Sequence, residues 1–132
     1  MPVKAYVFEC SSNTYLNCIQ KGVFGSNKPW PLEIAQGDFC FLHHYEFETL
    51  FALWRAQTDG GRNLVPKAWG GKFPFQAKVE LATTDIIEVP KQFIDDFVVN
   101  ESTGQLDNII EESKTENLIQ ALRGITEISE RP

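Results

Sequence analysis

The chain has 132 residues, 42% of them hydrophobic, which suits one domain with a packed core and a short terminal tail. No apolar run reaches membrane-spanning length and the start, MPVKAYVFEC, lacks a signal-peptide layout, so no membrane partner and a cytoplasmic location are expected. The net charge of −6 is uneven: residues 1–81 hold eight Lys/Arg against seven Asp/Glu, and residues 82–132 hold four against eleven, so the acidic total does not describe the front surface.

Three cysteines, Cys10, Cys18 and Cys40, are odd in number and lack framework spacing, which argues against a secreted disulfide scaffold. Residues 3–9 are rich in β-branched and aromatic side chains and predict a first strand. Ser11-Ser12-Asn13 supplies capping side chains for a short helix. Tyr15, Leu16 and Ile19 mark its apolar face, and Gly22 ends it. Residues 23–31, VFGSNKPWP, read as a loop by composition, with Phe24 and Trp30 in irregular backbone and one of the two in the core.

Gln36-Gly37-Asp38 turns into a strand over residues 39–45, and Glu46-Phe47-Glu48 reads as a hairpin turn. The next strand covers residues 49–57. Leu50, Ala52, Trp54 and Ala56 are expected on one face, Phe51 and Leu53 on the other, and two apolar faces predict a central strand. Residues 73–81 alternate Phe73, Phe75, Ala77, Val79 and Leu81 with Pro74, Gln76, Lys78 and Glu80, the period of a half-buried strand. A fifth strand is expected over residues 85–89, and then a short helix starting at Pro90 and carrying Phe93, Ile94 and Phe97. A loop over 100–104 leads to helical spacing across 106–122, interrupted by polar residues. This reads as two helices or one broken helix, with Thr115 as a new cap and residues 127–132 frayed. The class is α+β, with residues 1–98 as the sheet-bearing unit and residues 99–132 as a helical extension or tether.

Most catalytic chemistry is excluded. Cys40-x-x-His43 has half of a zinc spacing, but positions i and i+3 of a strand face opposite ways, and so do His43 and His44; no metal site is expected. Gly70-Gly71-Lys72 precedes a strand rather than a helix and lacks the Ser/Thr of a phosphate loop. Asp95-Asp96 diverge on a helix and read as solvated surface. No catalytic set and no cofactor are expected, and the chain reads as a binding module.

The candidate site centres on residues 59–81, DGGRNLVPKAWGGKFPFQAKVEL. Trp69 reads either as core or as the wall of a site. Three features favour the wall. Gly70 and Gly71 permit close approach; Arg62 and Lys67 lie just upstream and suit phosphates; Phe24 and Trp30 occupy another loop that closes the opposite side. A base stacked there gains about 1–3 kcal/mol. Ser12, Asn13 and Ser26 are the nearby groups for reading its edge. Lys72 and Lys28 complete the expected phosphate contacts.

The run from Phe24-Gly25 to the GGKFP-Q of residues 70–76 and its closing strand resembles the DCD (development and cell death) domain over about residues 4–97. The same span is similar to YTH and EVE domains, through Cys10-Ser11-Ser12-Asn13, Gly22-Val23-Phe24-Gly25-Ser26, Trp69-Gly-Gly-Lys-Phe73 and Val89-Pro90. The resemblance implies a PUA-like mixed β-barrel of about five or six strands with flanking helices. It implies a cage in which Phe24 and Trp69 flank a modified, flipped base, with Gly25, Ser26, Ser12 and Asn13 at its edge. Phe24 stands where a Trp is usual, and Leu64 stands where a further wall Trp is frequent; Trp30 is the residue able to compensate. The implied partner is DNA, or RNA, with a methylated base. Similar folds are the specificity modules of McrB-type restriction GTPases, which implies a C-terminal AAA+ GTPase domain in a longer chain. The DCD likeness also implies an alternative, a protein-interaction module in stress signalling.

Overall fold

A first strand, β1 (Ala5–Cys10), sends alternate side chains to opposite faces of a sheet. Ala5 and Val7 enter one apolar cluster, while Tyr6, Phe8 and Cys10 enter a second. The structure, a computed structural model, describes residues 3–89 and 108–129. The helix expected from Pro90, the 100–104 loop, Asp95-Asp96 and the last three residues lie outside them.

Helix α1 (Tyr15–Lys21) follows a turn in which the Ser11 N–H donates to Thr14 Oγ1 at 2.9 Å. Gly22 ends it at φ 61°, a left-handed position that glycine takes without a Cβ penalty, and its N–H bonds the Cys18 carbonyl. The buried face differs from expectation: Cys18, Tyr15 and Ile19 pack inward, while Leu16 is 60% exposed.

The stretch expected as a loop begins with a strand, β2 (Val23–Ser26), which pairs antiparallel with β6 (Phe75–Leu81), from Val23↔Lys78 to Ser26↔Phe75. Its Gly, Ser and Asn composition hides a strand whose partner is distant in sequence, so tertiary pairing overrides propensity. A 3-10 turn (Trp30–Glu33) follows, then β3 (Phe39–His44) and β4 (Thr49–Ala56) around the expected turn.

β4 is central, pairing with β3, with β6 and with β7 (Ile87–Val89). Its faces are not those of simple alternation. The ladder steps from Cys40↔Trp54 to Leu42↔Phe51, placing one extra residue in β4. Such a bulge resets the parity of a strand. Leu53 therefore joins Leu50 and Ala52 in the first cluster, and Phe51 packs with Trp54 and Ala56 at the second.

A two-residue strand, β5 (Gly61–Arg62), pairs with β6, and β8 (Ile109–Ile110) pairs with β1. The order is β2-β6-β4-β3-β1-β8, mixed because β1 and β3 run parallel. The sheet curls so that β2 returns beside β1, giving an α+β half-barrel. Eight strands stand among the described residues; β2, β5 and β8 are those the pattern did not anticipate.

Helix α2 (Glu112–Arg123) buries Thr115, Leu118, Ile119 and Leu122 against the first cluster. Full burial of each aliphatic side chain contributes about 1.5–3 kcal/mol. Thr115 is not a cap. It lies inside the helix, fully buried, and donates to the Ile110 carbonyl at 3.1 Å. β8 and α2 thus share the first cluster with β1, β3, β4 and β7. Among the described residues, no helix is long and apolar enough to cross a membrane.

Candidate functional site

The parallel strands β1 and β3 end at the same rim, and there a cleft of about 290 Å³ opens over the second cluster. Glu9 and Cys10 reach it from β1, Ser11 and Thr14 from the turn before α1, and Gly25 and Ser26 from β2. Lys28, Trp30, Tyr45 and Phe73 complete most of the wall. The volume is at the small end of ligand sites.

Trp30 is the cleft's indole. Its ring lies parallel to Tyr6, 6.0 Å away at 4°, and tilted on Phe8 at 4.6 Å. Tyr6 in turn donates from its hydroxyl to the Glu33 carbonyl at 3.3 Å, and its phenol is pushed up to about 12, chiefly by burial and then by Asp38 and Glu33. The 3-10 turn carrying Trp30 is also held from behind. The Gly60 N–H donates to the Ile34 carbonyl at 2.9 Å, and a Cβ at Gly60 would lie 1.8 Å from the Pro31 carbonyl oxygen. Only glycine permits that approach.

Trp69 stands one layer behind the wall. It begins three consecutive left-handed residues, Trp69, Gly70 and Gly71, at φ 51°, 63° and 81°. A bulky residue in that region costs about 1–3 kcal/mol and persists only where its surroundings hold it. Here the indole N–H donates to the Thr14 carbonyl at 3.4 Å, and the ring stands edge-on to Phe73 at 5.5 Å. The ring lies against Gly25, where a Cβ would come within 2.6 Å of Trp69 Cζ3.

Gln76 anchors the loop that carries Trp69. Its side chain is fully buried, accepting from the Val65 N–H at 2.7 Å and donating to the carbonyls of Phe73 at 3.0 Å and Val65 at 3.3 Å. Sequence reasoning treated it as a polar residue of an alternating strand. The available signal was its place in the GGKFP-Q run.

Phe24 is corrected from wall to core. It is 0% exposed, registered opposite Ala77, and packed between Phe8 at 5.5 Å and Trp54 at 4.9 Å. Gly25, Ser26 and Trp30 do meet at the cleft, whereas Ser12 and Asn13 do not line it; Ser11 and Thr14 of the same turn do. Ser12 is exposed and its N–H donates to the Glu46 carboxylate at 2.6 Å. Leu64 also lies away from the cleft, against Gly61.

Of the cations, Lys28 lines the cleft, its N–H donating to Ser26 Oγ at 3.1 Å. Lys67 and Lys72 are exposed and bracket the Trp69 turn. Arg62 lies over the Phe75 ring at 5.0 Å. Because Phe75 pairs with both Ser26 and Arg62, the arginine sits two strand spacings, about 10 Å, from the cleft.

The Cys10 thiol at the floor is pushed up to about 12, mainly by burial and further by Glu46 and Glu9. It stays protonated at neutral pH and is not an activated nucleophile. Cys40 is fully buried, and among the described residues no three His, Cys, Asp or Glu gather as metal ligands.

The sequence model of the development and cell death domain matches residues 4–121. The chain belongs to that family. This DCD domain is 28% identical over 94 residues, 65% of its length, to the DCD domain-containing protein NRP-A of Glycine max, of which the match spans 26%. Among solved structures it is similar to three YTH domains. That of Zygosaccharomyces rouxii MRB1, in complex with N6-methyladenosine RNA, superposes with a TM-score of 0.62 at 14% identity over 97% of this chain and 92% of that one. The Pho92 YTH domain in complex with m6A gives 0.60 at 15%, over 89% and 82%. That of mmi1, in an RNA complex, gives 0.66 at 5%, over 90% and 80%. At these identities the likeness is one of fold. In this DCD domain, the run from Phe24-Gly25 to Gln76 now has a physical reading: Phe24 fills the core, Gly25 admits the Trp69 ring, and Gln76 ties down the loop between them.

Proposed function

We propose that this DCD domain is a nucleic-acid-binding module that takes one unstacked, modified base into the cleft between Trp30, Phe73 and Gly25-Ser26. The reading rests on one observation: an indole and a phenyl line one cleft together with the hydroxyl-bearing Ser26, Ser11 and Thr14. Flat rings stack on aromatic walls, and hydroxyls read a base edge as donor or acceptor. The fold's resemblance to YTH domains solved with N6-methyladenosine RNA supports the same ligand class. Lys28, Lys67, Lys72 and Arg62 hold phosphates on one side. The role is binding, with the protonated Cys10 thiol serving as an apolar floor. RNA is the first ligand to test. Methylated DNA, with an AAA+ GTPase domain further along a longer chain, is the narrower form of the proposal.

The test is calorimetric titration with single-stranded RNA and DNA carrying N6-methyladenine or adenine at one position. Trp30→Ala is expected to weaken the modified ligand by about 1–3 kcal/mol and the unmodified one far less. Because Trp30 also packs on Tyr6 and Phe8, Ser26→Ala serves as a milder probe of the same cleft. Equal loss for both ligands, or none, overturns the base-reading cleft.

A further inference from the structure

The turn joining β3 to β4 carries two exposed aromatic rings beside the cleft. Tyr45 lines the rim and is 52% exposed; Phe47, two residues on, is 70% exposed. Single exposed apolar side chains need no partner, but two rings on one turn beside a cleft present faces on which a base can stack. This turn is also held in place. The Tyr45 N–H donates to the Cys10 carbonyl at 3.1 Å, the Phe47 N–H to the His44 carbonyl at 3.2 Å, and Thr49 Oγ1 to the Phe47 carbonyl at 3.2 Å. The Glu46 carboxylate accepts from the Ser12 N–H. One side of Phe47 rests on His44, centroids 4.6 Å apart, and the rest of the ring faces solvent. Two exposed rings on one turn whose backbone is hydrogen-bonded in place are the candidate platform.

Charge narrows the occupant. Lys28 lines the cleft, and Lys67 and Lys72 flank the Trp69 turn behind Gly25 and Phe73. The aromatic turn carries Glu46 and Glu48, both exposed, with exposed Glu9 at the cleft between. A duplex presents one phosphate charge per about 1.7 Å along its axis and would set one strand's phosphates against these carboxylates. A single strand avoids this by running its phosphates along the lysines and dropping its bases onto the rings. Resting on the proposed base-binding cleft, we infer that the ligand is a single strand whose next base stacks on Tyr45 and Phe47.

The test compares three probes by calorimetry: N6-methyladenosine 5′-monophosphate, a single-stranded RNA trinucleotide with that nucleoside central, and a duplex holding the same triplet. The trinucleotide is expected to bind about 5- to 150-fold tighter than the mononucleotide, the range for one stacked base, and tighter than the duplex. Phe47→Ala, outside the cleft, removes most of that gain and leaves the mononucleotide unchanged. Tyr45→Ala weakens both, the trinucleotide more, and Tyr45→Phe keeps the gain. Mononucleotide binding with no gain in length, duplex binding as tight as single strand, or equal Phe47→Ala losses for both short probes overturns the inference while the cleft stands. No binding of either short probe overturns the cleft and the platform together.

Discussion

A single methyl group at Gly25 tests how the cleft wall is built. A Cβ there would lie 2.6 Å from Trp69 Cζ3, and 3.0 Å from both Trp69 Cη2 and Phe73 Cβ. Carbon atoms are comfortable at about 3.5 Å, so the indole must retreat by about 1 Å. Its backbone is pinned in a left-handed turn and its N–H is bonded to Thr14, so the retreat strains the loop. Overpacking of this kind costs about 1–3 kcal/mol, and a half-buried ring that can swing outward favours the lower half of that range. The sign is informative. Gly25 lies outside the left-handed region, so alanine is tolerated by its backbone, and without the clash it would stabilise by about 0.4–1 kcal/mol through the unfolded chain. Gly25→Ala and Trp69→Leu, alone and combined, are compared by urea unfolding at constant m. The single Gly25 substitution is expected to lower the midpoint, and most of that loss should vanish beside Trp69→Leu. If Gly25→Ala is stabilising on its own, or equally damaging in both backgrounds, Trp69 does not back the wall.

Gln76→Leu keeps the volume but leaves the Val65 N–H and the Phe73 carbonyl without this partner, while the Val65 carbonyl keeps the Ala68 N–H at 3.1 Å. Each buried group stranded this way costs about 1–3 kcal/mol, and amide exchange of residues 63–74 should accelerate more than that of β1; uniform protection would contradict the clamp. The buried thiols set an alkaline limit. Cys10 and Cys18 are raised from 9.0 to about 12, chiefly by burial, so the folded state holds protons that the unfolded chain releases. Their contribution is complete below pH 9 and is lost as pH rises toward 12, and the urea midpoint in reductant should decline through that window. A flat profile would mean the thiols are not sealed.

The long periodic strands could be read in advance because each carries its own pattern: residues 3–9, 39–45, 49–57 and 73–81 all form strands close to where they were expected. The bulge in β4 could not, since it is visible only in the ladder against β3 and changes the side taken by Leu53 without changing the residues. β2 was hidden for a related reason, because its hydrogen bonds come from β6. Of the residues expected at a site, Gly25, Ser26, Lys28 and Trp30 line the cleft, while Phe24 is core. The aromatic content of residues 24–30 and the Gly70-Gly71 pair drew attention to segments that border the cleft. Spacing alone could not show that Phe24 turns inward while Trp30 turns to the rim, nor that Trp69 supports rather than lines. The role of Gly60 depends on the Pro31 carbonyl, which no local pattern reveals.

The half-barrel meets itself at β1 and β2, yet among the described residues no backbone ladder stitches those two strands together. The cleft lies across that seam, with Cys10 on one lip and Gly25 on the other. The two lips are joined instead by core packing, Phe8 against Phe24, and by the Trp69 N–H bond to the Thr14 carbonyl. Any change in the cleft's width must therefore be taken up by that packing rather than by a sheet ladder.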